Sequence, residues 1–310
     1  MCGHDVTWLA THAEDRYILR PETLHAALRC SDSKQYGVNM LLLNSPSNPT
    51  GCSASKHELE ALADVARQFN VVVISDEIYA NTSHCHETDH VSISSYYPEG
   101  TVVTSGLSKA FGAGGWRLGF GKYPEQLTDL RKAVITAASE TFSSVSTPVQ
   151  CAAMAAFEPN DELAMYAQNM KLSLRLVSRL FHQTLMNQCI GVSMPLPGGG
   201  FYAFPDFSNT ALATARKGVS SEQIFSELKQ STGVSVLHGT AFGRGANEWS
   251  CRVAFVDFDG AESMRFMTEN NATMSAIDNG VFDRAAENGF AQNIVEGARR
   301  LAAFMDNRQF

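Results

Sequence analysis

Val38-Asn39-Met40-Leu41-Leu42-Leu43-Asn44-Ser45-Pro46-Ser47-Asn48-Pro49-Thr50-Gly51, residues 38–51, sets the architecture of this chain. Its first half is a short apolar run and its second half a Ser/Pro/Asn/Gly turn, as expected for a buried strand entering a loop. A helix is predicted next, because Ser55 and Glu58 have capping-box spacing and Leu59, Leu62, Ala66 and Phe69 recur on one helical face. Val71-Val72-Val73-Ile74 gives a second buried strand, ending in Ser75-Asp76-Glu77-Ile78-Tyr79, and Thr101-Val102-Val103-Thr104 a third, ending near Ser105 to Lys109. Strand, helix, strand order predicts right-handed crossovers and a mainly parallel sheet. The polar groups Asn48, Asp76 with Tyr79, and Lys109 then fall at the carboxyl ends of strands, where open α/β sheets bind ligands.

Working outward, the sequence turns helical beyond Pro124, with a long apolar-periodic stretch from about Glu162 to Asn187 that ends near Pro195, Pro197 and Gly198-Gly199-Gly200. Strand-like segments follow at Phe201 to Phe204 and Arg252 to Val256, with helices around Ser221 to Gln230 and Ala291 to Met305. The expected organisation is an α/β domain over residues 1–157 and a smaller α+β domain, with its connecting helix, over 158–310.

The 310 residues, 44% of them hydrophobic, suffice for two cores. A formal net charge of −8 provides no general basic field for gathering phosphodiesters, which argues against nucleic acid as a partner. Seven scattered cysteines without a C-x-x-C pair fit reduced thiols and a cytoplasmic setting. No apolar run approaches a membrane span, and Met1 to Asp5 lacks the regions of a signal peptide, so a soluble protein is expected.

Lys109 sits in Ser105-Gly106-Leu107-Ser108-Lys109-Ala110-Phe111-Gly112-Ala113-Gly114-Gly115-Trp116-Arg117-Leu118-Gly119, an apolar and glycine-rich segment. Desolvation and a nearby cation would lower an amine's pKa there, the standard route to a nucleophilic lysine. Neither G-K-[ST] nor G-x-G-x-x-G fits the glycines, which excludes a P-loop or dinucleotide fingerprint.

Ser108-Lys109 followed by Arg117-x-Gly119 resembles the cofactor-lysine signature of the class I/II aminotransferases, which have fold type I and depend on pyridoxal 5'-phosphate. Asn48-Pro49-Thr50-Gly51, Asp76-x-x-Tyr79 and Trp249-Ser250-Cys251-Arg252-Val253-Ala254-Phe255 resemble three further family motifs in the right order. The resemblance implies transamination of an L-amino acid with a 2-oxo acid through a Schiff base on Lys109. It implies that Asp76 pairs with the pyridinium nitrogen and that Asn48 and Tyr79 hydrogen-bond the ring's phenolic oxygen. Arg117 would hold the phosphate, and Arg252 the substrate α-carboxylate through two parallel hydrogen bonds. An N-capping role for Asp76, a turn role for Asn48 and salt bridges for Arg117 and Arg252 are the plainer alternatives. Pro197 to Tyr202 and His238 to Gly243 also resemble family segments, near the substrate entrance, with no chemistry assigned.

The chain departs from the family in two respects. Gly106 stands where a phosphate-binding Ser or Thr is usual, so that contact is either missing or replaced by Ser105 or Ser108. Upstream, the family's glycine/serine phosphate loop, its ring-stacking aromatic residue and part of its small domain have no counterpart, so unpaired sheet edges and exposed apolar surface are expected, together with weak cofactor retention. The resemblance implies a homodimer with the active site at its interface; a partial sequence or a shortened protein, a noncatalytic remnant or binding protein, and another reaction such as elimination stay open beside it. His84-Cys85-His86-Glu87-Thr88-Asp89-His90 has metal-ligand residue types but no recognised zinc spacing, so a solvated loop without metal is expected.

Overall fold

The computed structural model describes residues 6–30, 39–85 and 90–307. They form two compact units, one comprising the chain up to Ser45 with Ala54–Ala80 and His90–Glu158, the other Pro46–Ser53, Asn81–Asp89 and the chain from Pro159. The second unit thus takes in two short segments from the first half of the sequence.

In the first unit, α1 (Pro21–Cys30) precedes β1 (Met40–Asn44), α2 (Lys56–Gln68), β2 (Val72–Asp76) and β3 (Thr101–Gly106). Next come α3 (Leu107–Ala110), β4 (Gly119–Lys122), α4 (Thr128–Thr141) and α5 (Thr147–Phe157). The sheet order is β1-β2-β3-β4, with the first two pairings parallel and the last antiparallel. The predicted helix is present as α2, and its capping box is complete: Glu58 N donates to Ser55 Oγ at 3.3 Å and Ser55 N to Glu58 Oε2 at 2.7 Å. Two backbone donors that the helix leaves unsatisfied thereby find acceptors. Leu59, Leu62, Ala63 and Ala66 face Leu41, Val71 and Val73 in one core.

Strand β1 is not buried on both faces, although its continuous apolar run suggests that it would be. Met40 is 56% and Leu42 70% exposed, while Leu41 between them is buried. Successive strand side chains point to opposite faces, and in β1 the side chain that packs with α2, Leu41, is the covered one. On the antiparallel edge every residue of β4 is exposed, and α4 contributes no buried residue. The exposed apolar surface anticipated from the sequence is therefore present on this unit.

In the second unit, α6 (Asp161–Gln188) is a long helix whose segment from Leu172 to Phe181 is buried throughout. It matches the predicted connecting helix to within a residue at either end. Beyond it lie β5 (Tyr202–Ala203), α7 (Ala211–Ala215), α8 (Ser221–Thr232), β6 (Leu237–His238) and β7 (Cys251–Ala254). Helices α9 (Gly260–Glu269), α10 (Met274–Asp278), α11 (Asp283–Glu287) and α12 (Gln292–Met305) complete the chain. The small sheet is antiparallel, in the order β5-β7-β6. Its core joins Leu176, Leu180 and Leu185 of α6 to Phe207, Ile224, Leu228, Phe255 and Leu301.

No helix among the described residues is long and apolar enough to cross a membrane. Among the described residues Cys52, Cys85, Cys151, Cys189 and Cys251 form no disulfide.

Candidate active site

In the first unit the parallel register places Asn44, Asp76 and Thr104 in one row across β1, β2 and β3, at their carboxyl ends. The row is stitched by the Asn44 Nδ2 bond to the Asp76 carbonyl (2.9 Å) and the Glu77 N bond to the Thr104 carbonyl (2.9 Å). Asp76 Oδ1 accepts from Ile78 N at 3.3 Å, an Asx-type turn that carries the chain off the strand and brings Tyr79 inward, where it is buried. No α-helix begins at Asp76, so the N-cap alternative takes this turn form.

Strand β3 runs directly into α3, whose last turn carries Lys109. Lys109 Nζ lies 5.8 Å from the centroid of the Tyr79 ring. The structure also explains the glycine at 106: a Cβ there would lie 2.6 Å from the Leu118 carbonyl, because β4 pairs Gly119 against Gly106. Of the two candidate replacements, Ser105 donates its hydroxyl to the Glu77 carbonyl at 3.3 Å, whereas Ser108 lies on α3 itself.

Arg117 is exposed and has φ 55°, the left-handed region that few side-chain-bearing residues adopt. It closes the 3₁₀ turn Gly114–Trp116, and its Nη1 donates to the Gly114 carbonyl at 2.8 Å. The guanidinium is thus tethered to the glycine-rich turn rather than to a surface carboxylate.

A polar network behind Asp76 went unnoticed in the sequence. Glu77, buried, accepts from Ser75 Oγ at 2.8 Å and Ser92 Oγ at 2.5 Å, and its Oε2 lies 3.0 Å from His90 Nε2. Burial pulls the Glu77 pKa upward, but the bonds from His90, Ser92 and Ser75 outweigh it and leave the carboxyl below its ordinary range. The adjacent acidic pair Asp76-Glu77 is the signal the sequence offers; His90 stands there only as part of a metal-type cluster. Of that cluster, His86, Glu87 and Asp89 lie outside the described residues. His84 is buried in the second unit, where its backbone N donates to the Gly198 carbonyl at 2.9 Å.

The second unit holds the other two predicted residues together. Arg252 Nη1, on β7, donates to Asn48 Oδ1 at 3.0 Å across 204 residues of sequence. The Asn48 loop is fixed by backbone contacts: Gly198 N and Gly199 N both donate to the Gly51 carbonyl, at 2.8 and 3.0 Å. Gly51 has φ 70° and approaches the Tyr202 carbonyl so closely that a Cβ would lie 2.1 Å from it. That approach is the physical reason for glycine at this place in Asn-Pro-Thr-Gly. The Arg252 guanidinium carbon also lies over two rings, 4.8 Å from the Tyr202 centroid and 5.2 Å from that of Phe242. Both belong to segments to which the sequence assigned no chemistry.

These geometries can be set beside known proteins. A family model described as aminotransferase class I and II matches residues 1–263. YugH of Bacillus subtilis, described as a candidate aminotransferase, is 37% identical over 203 residues, covering 66% of this chain and 49% of its own length. An aspartate aminotransferase of Pyrococcus horikoshii is 31% identical over 207 residues, covering 67% of this chain and 50% of its own. The chain therefore spans about half the length of these relatives. Among solved structures, a double mutant of Thermus thermophilus aspartate aminotransferase superimposes with a TM-score of 0.69 at 26% identity, over 87% of this chain and 64% of that one. The mainly parallel sheet is accordingly that of a partial fold-type I domain, and the chain belongs to the class I and II aminotransferase family.

Proposed function

We propose that this protein works in pyridoxal 5'-phosphate-dependent transamination between an L-amino acid and a 2-oxo acid, with Lys109 as the cofactor lysine. The observation that carries the reading is the grouping of an amine, a phenol and a carboxylate, Lys109, Tyr79 and Asp76, at the carboxyl ends of β2 and β3. The donor set fits the cofactor in kind. An amine suits its aldehyde, a carboxylate its pyridine nitrogen, a phenol its phenolic oxygen, and the Arg117 fork its phosphate.

Bound pyridoxal phosphate supplies a carbonyl for amines and a ring that withdraws electrons from the adjacent carbon. The protein's own groups do the rest. Asp76 would pair with the ring nitrogen and so favour its protonated, electron-withdrawing form. Tyr79 would donate its hydroxyl hydrogen to the phenolic oxygen. Lys109 Nζ, as a free amine, would accept the proton from the substrate α-carbon and pass it to the cofactor carbon that bears the amino group, rather than back to the carbon it came from. Arg252 grips the α-carboxylate, while its bond to Asn48 fixes one edge of the guanidinium. Relatives named as aspartate aminotransferases make aspartate the first amino donor to test. A homodimer and a cytoplasmic location belong to the same reading, the former checked by light scattering.

The test is chemical. Protein incubated with pyridoxal phosphate is reduced with borohydride and digested, and the pyridoxyl label is located by mass spectrometry. The label should sit on Lys109 and be lost in Lys109→Ala; a label on another lysine would reject the assignment. A label on Lys109 without amino-group transfer to any 2-oxo acid would favour the noncatalytic binding protein.

A further inference from the structure

We propose that Tyr202 and Phe242 are positioning residues for Arg252, holding its guanidinium in the orientation that captures a carboxylate. This rests on the carboxylate role of Arg252 given above. An arginine side chain that must be ordered at the moment of binding gives up affinity, so prior immobilisation is recovered as tighter binding. Here the ordering is built in. The guanidinium carbon lies over two ring faces, at 4.8 and 5.2 Å, both within the range of cation–π attraction. Asn48 Oδ1 takes Nη1 at 3.0 Å. The rings occupy directions from which an anion could otherwise approach, and so narrow its access to the remaining edges of the fork.

The two rings are themselves fixed. Tyr202 lies in β5 opposite Ala254, two residues along β7 from Arg252, and its carbonyl abuts Gly51 of the Asn48 loop. Its ring also packs on Phe201, with centroids 4.6 Å apart. Phe242 ends the 3₁₀ turn Gly239–Phe242, which Gly243 closes at φ 82°, and it meets the buried Phe204 edge-on with centroids 6.0 Å apart. Neither ring carries a charge, so neither binds a carboxylate by ionic pairing, and a direct hydrogen bond from the Tyr202 hydroxyl is separated from action through Arg252 by Tyr202→Phe. A tyrosine hydroxyl is not required by this geometry, only a ring.

The experiment uses the pyridoxal phosphate-loaded protein and two unreactive probes, succinate and the uncharged succinamide, with binding read by calorimetry. Phe242→Leu and Tyr202→Leu should each weaken succinate by about threefold, as expected for loss of one solvent-accessible cation–π contact, and leave succinamide unchanged. Tyr202→Phe should restore wild-type succinate affinity. If Tyr202→Leu does not fold, Phe242→Leu and Tyr202→Phe still decide the matter. In an Arg252→Leu background the Phe242→Leu change should have no further effect on succinate. If Arg252→Leu weakens succinate but the ring substitutions do not, or if they weaken succinamide equally, the positioning role is overturned while the carboxylate role stands. If Arg252→Leu leaves succinate unchanged, the carboxylate role itself fails, and the positioning role falls with it.

Discussion

His84 gives the most quantitative prediction. Its ring is fully buried in the second unit, and neither Nδ1 nor Nε2 makes a well-formed hydrogen bond. Burial first, and the charge of Arg175 second, push its pKa down to about 3, against a weaker opposing pull from the backbone at Gly200. In the unfolded chain the imidazole titrates near its ordinary value of 6.5. Because the folded value is the lower, unfolding takes up a proton wherever the pH is below 6.5, so this contribution to stability is intact above pH 6.5 and is lost as pH falls toward 3. At about 1.36 kcal/mol per pKa unit the full loss is roughly 5 kcal/mol, of which about 2 kcal/mol should have gone by pH 5. His84→Leu replaces unpaired polar atoms with methyl groups and should be close to neutral at pH 7.5. Urea unfolding of both proteins at pH 7.5 and pH 5 isolates the effect. Arg175 with its partner Asp278, and the buried His182, are common to both proteins and cancel in the comparison. The variant should gain about 2 kcal/mol on wild type between the two pH values. A wild-type minus variant difference that is the same at both would refute the buried neutral imidazole.

Three further outcomes follow from the same physical reasoning. Gly51→Ala must place a methyl group 2.1 Å from the Tyr202 carbonyl at φ 70°, and should cost about 2 kcal/mol or more in urea unfolding and weaken succinate binding, since the Asn48 loop has to move. Ser55→Ala removes the capping acceptor of α2 and should cost about 1 kcal/mol, read from the unfolding of the first unit. Glu77→Ala leaves Ser75, Ser92 and His90 without their acceptor and should cost roughly 3 kcal/mol at neutral pH. Because the folded pKa of Glu77 lies below its ordinary 4.5, that stabilisation is complete above pH 4.5 and shrinks as pH falls through the folded value; a penalty independent of pH would count against the network.

What the sequence made legible, and what it did not, follows from the range of the forces involved. The strands β1, β2 and β3 and the helix α2 were readable because an apolar run, a capping box and a helical face are local patterns, each complete within about a dozen residues. Sheet edge β4 was not: Gly119-Phe120-Gly121-Lys122 has neither an apolar run nor alternation, and it is held only by pairing with β3. The exposed side of β1 was misread for a related reason, since a run such as Met40-Leu41-Leu42-Leu43 says that both faces are apolar and nothing about whether both are covered. Among the site residues, Asp76, Tyr79 and Lys109 could be grouped from sequence because parallel strands deliver their carboxyl ends to one edge by construction. Arg252 obeys no such rule. Its contacts are to Asn48, 204 residues away, and to Tyr202 and Phe242, which are set by the pairing of β5 with β7 and by a single 3₁₀ turn. A ring at the right distance from a cation leaves no periodicity or spacing in the chain. Gly106 shows the converse: its departure from the expected Ser or Thr was visible at once, yet the reason, a Leu118 carbonyl 2.6 Å from where a Cβ would stand, belongs to the antiparallel return of β4. The same strand that escaped the sequence reading thus accounts for the residue that looked out of place in it.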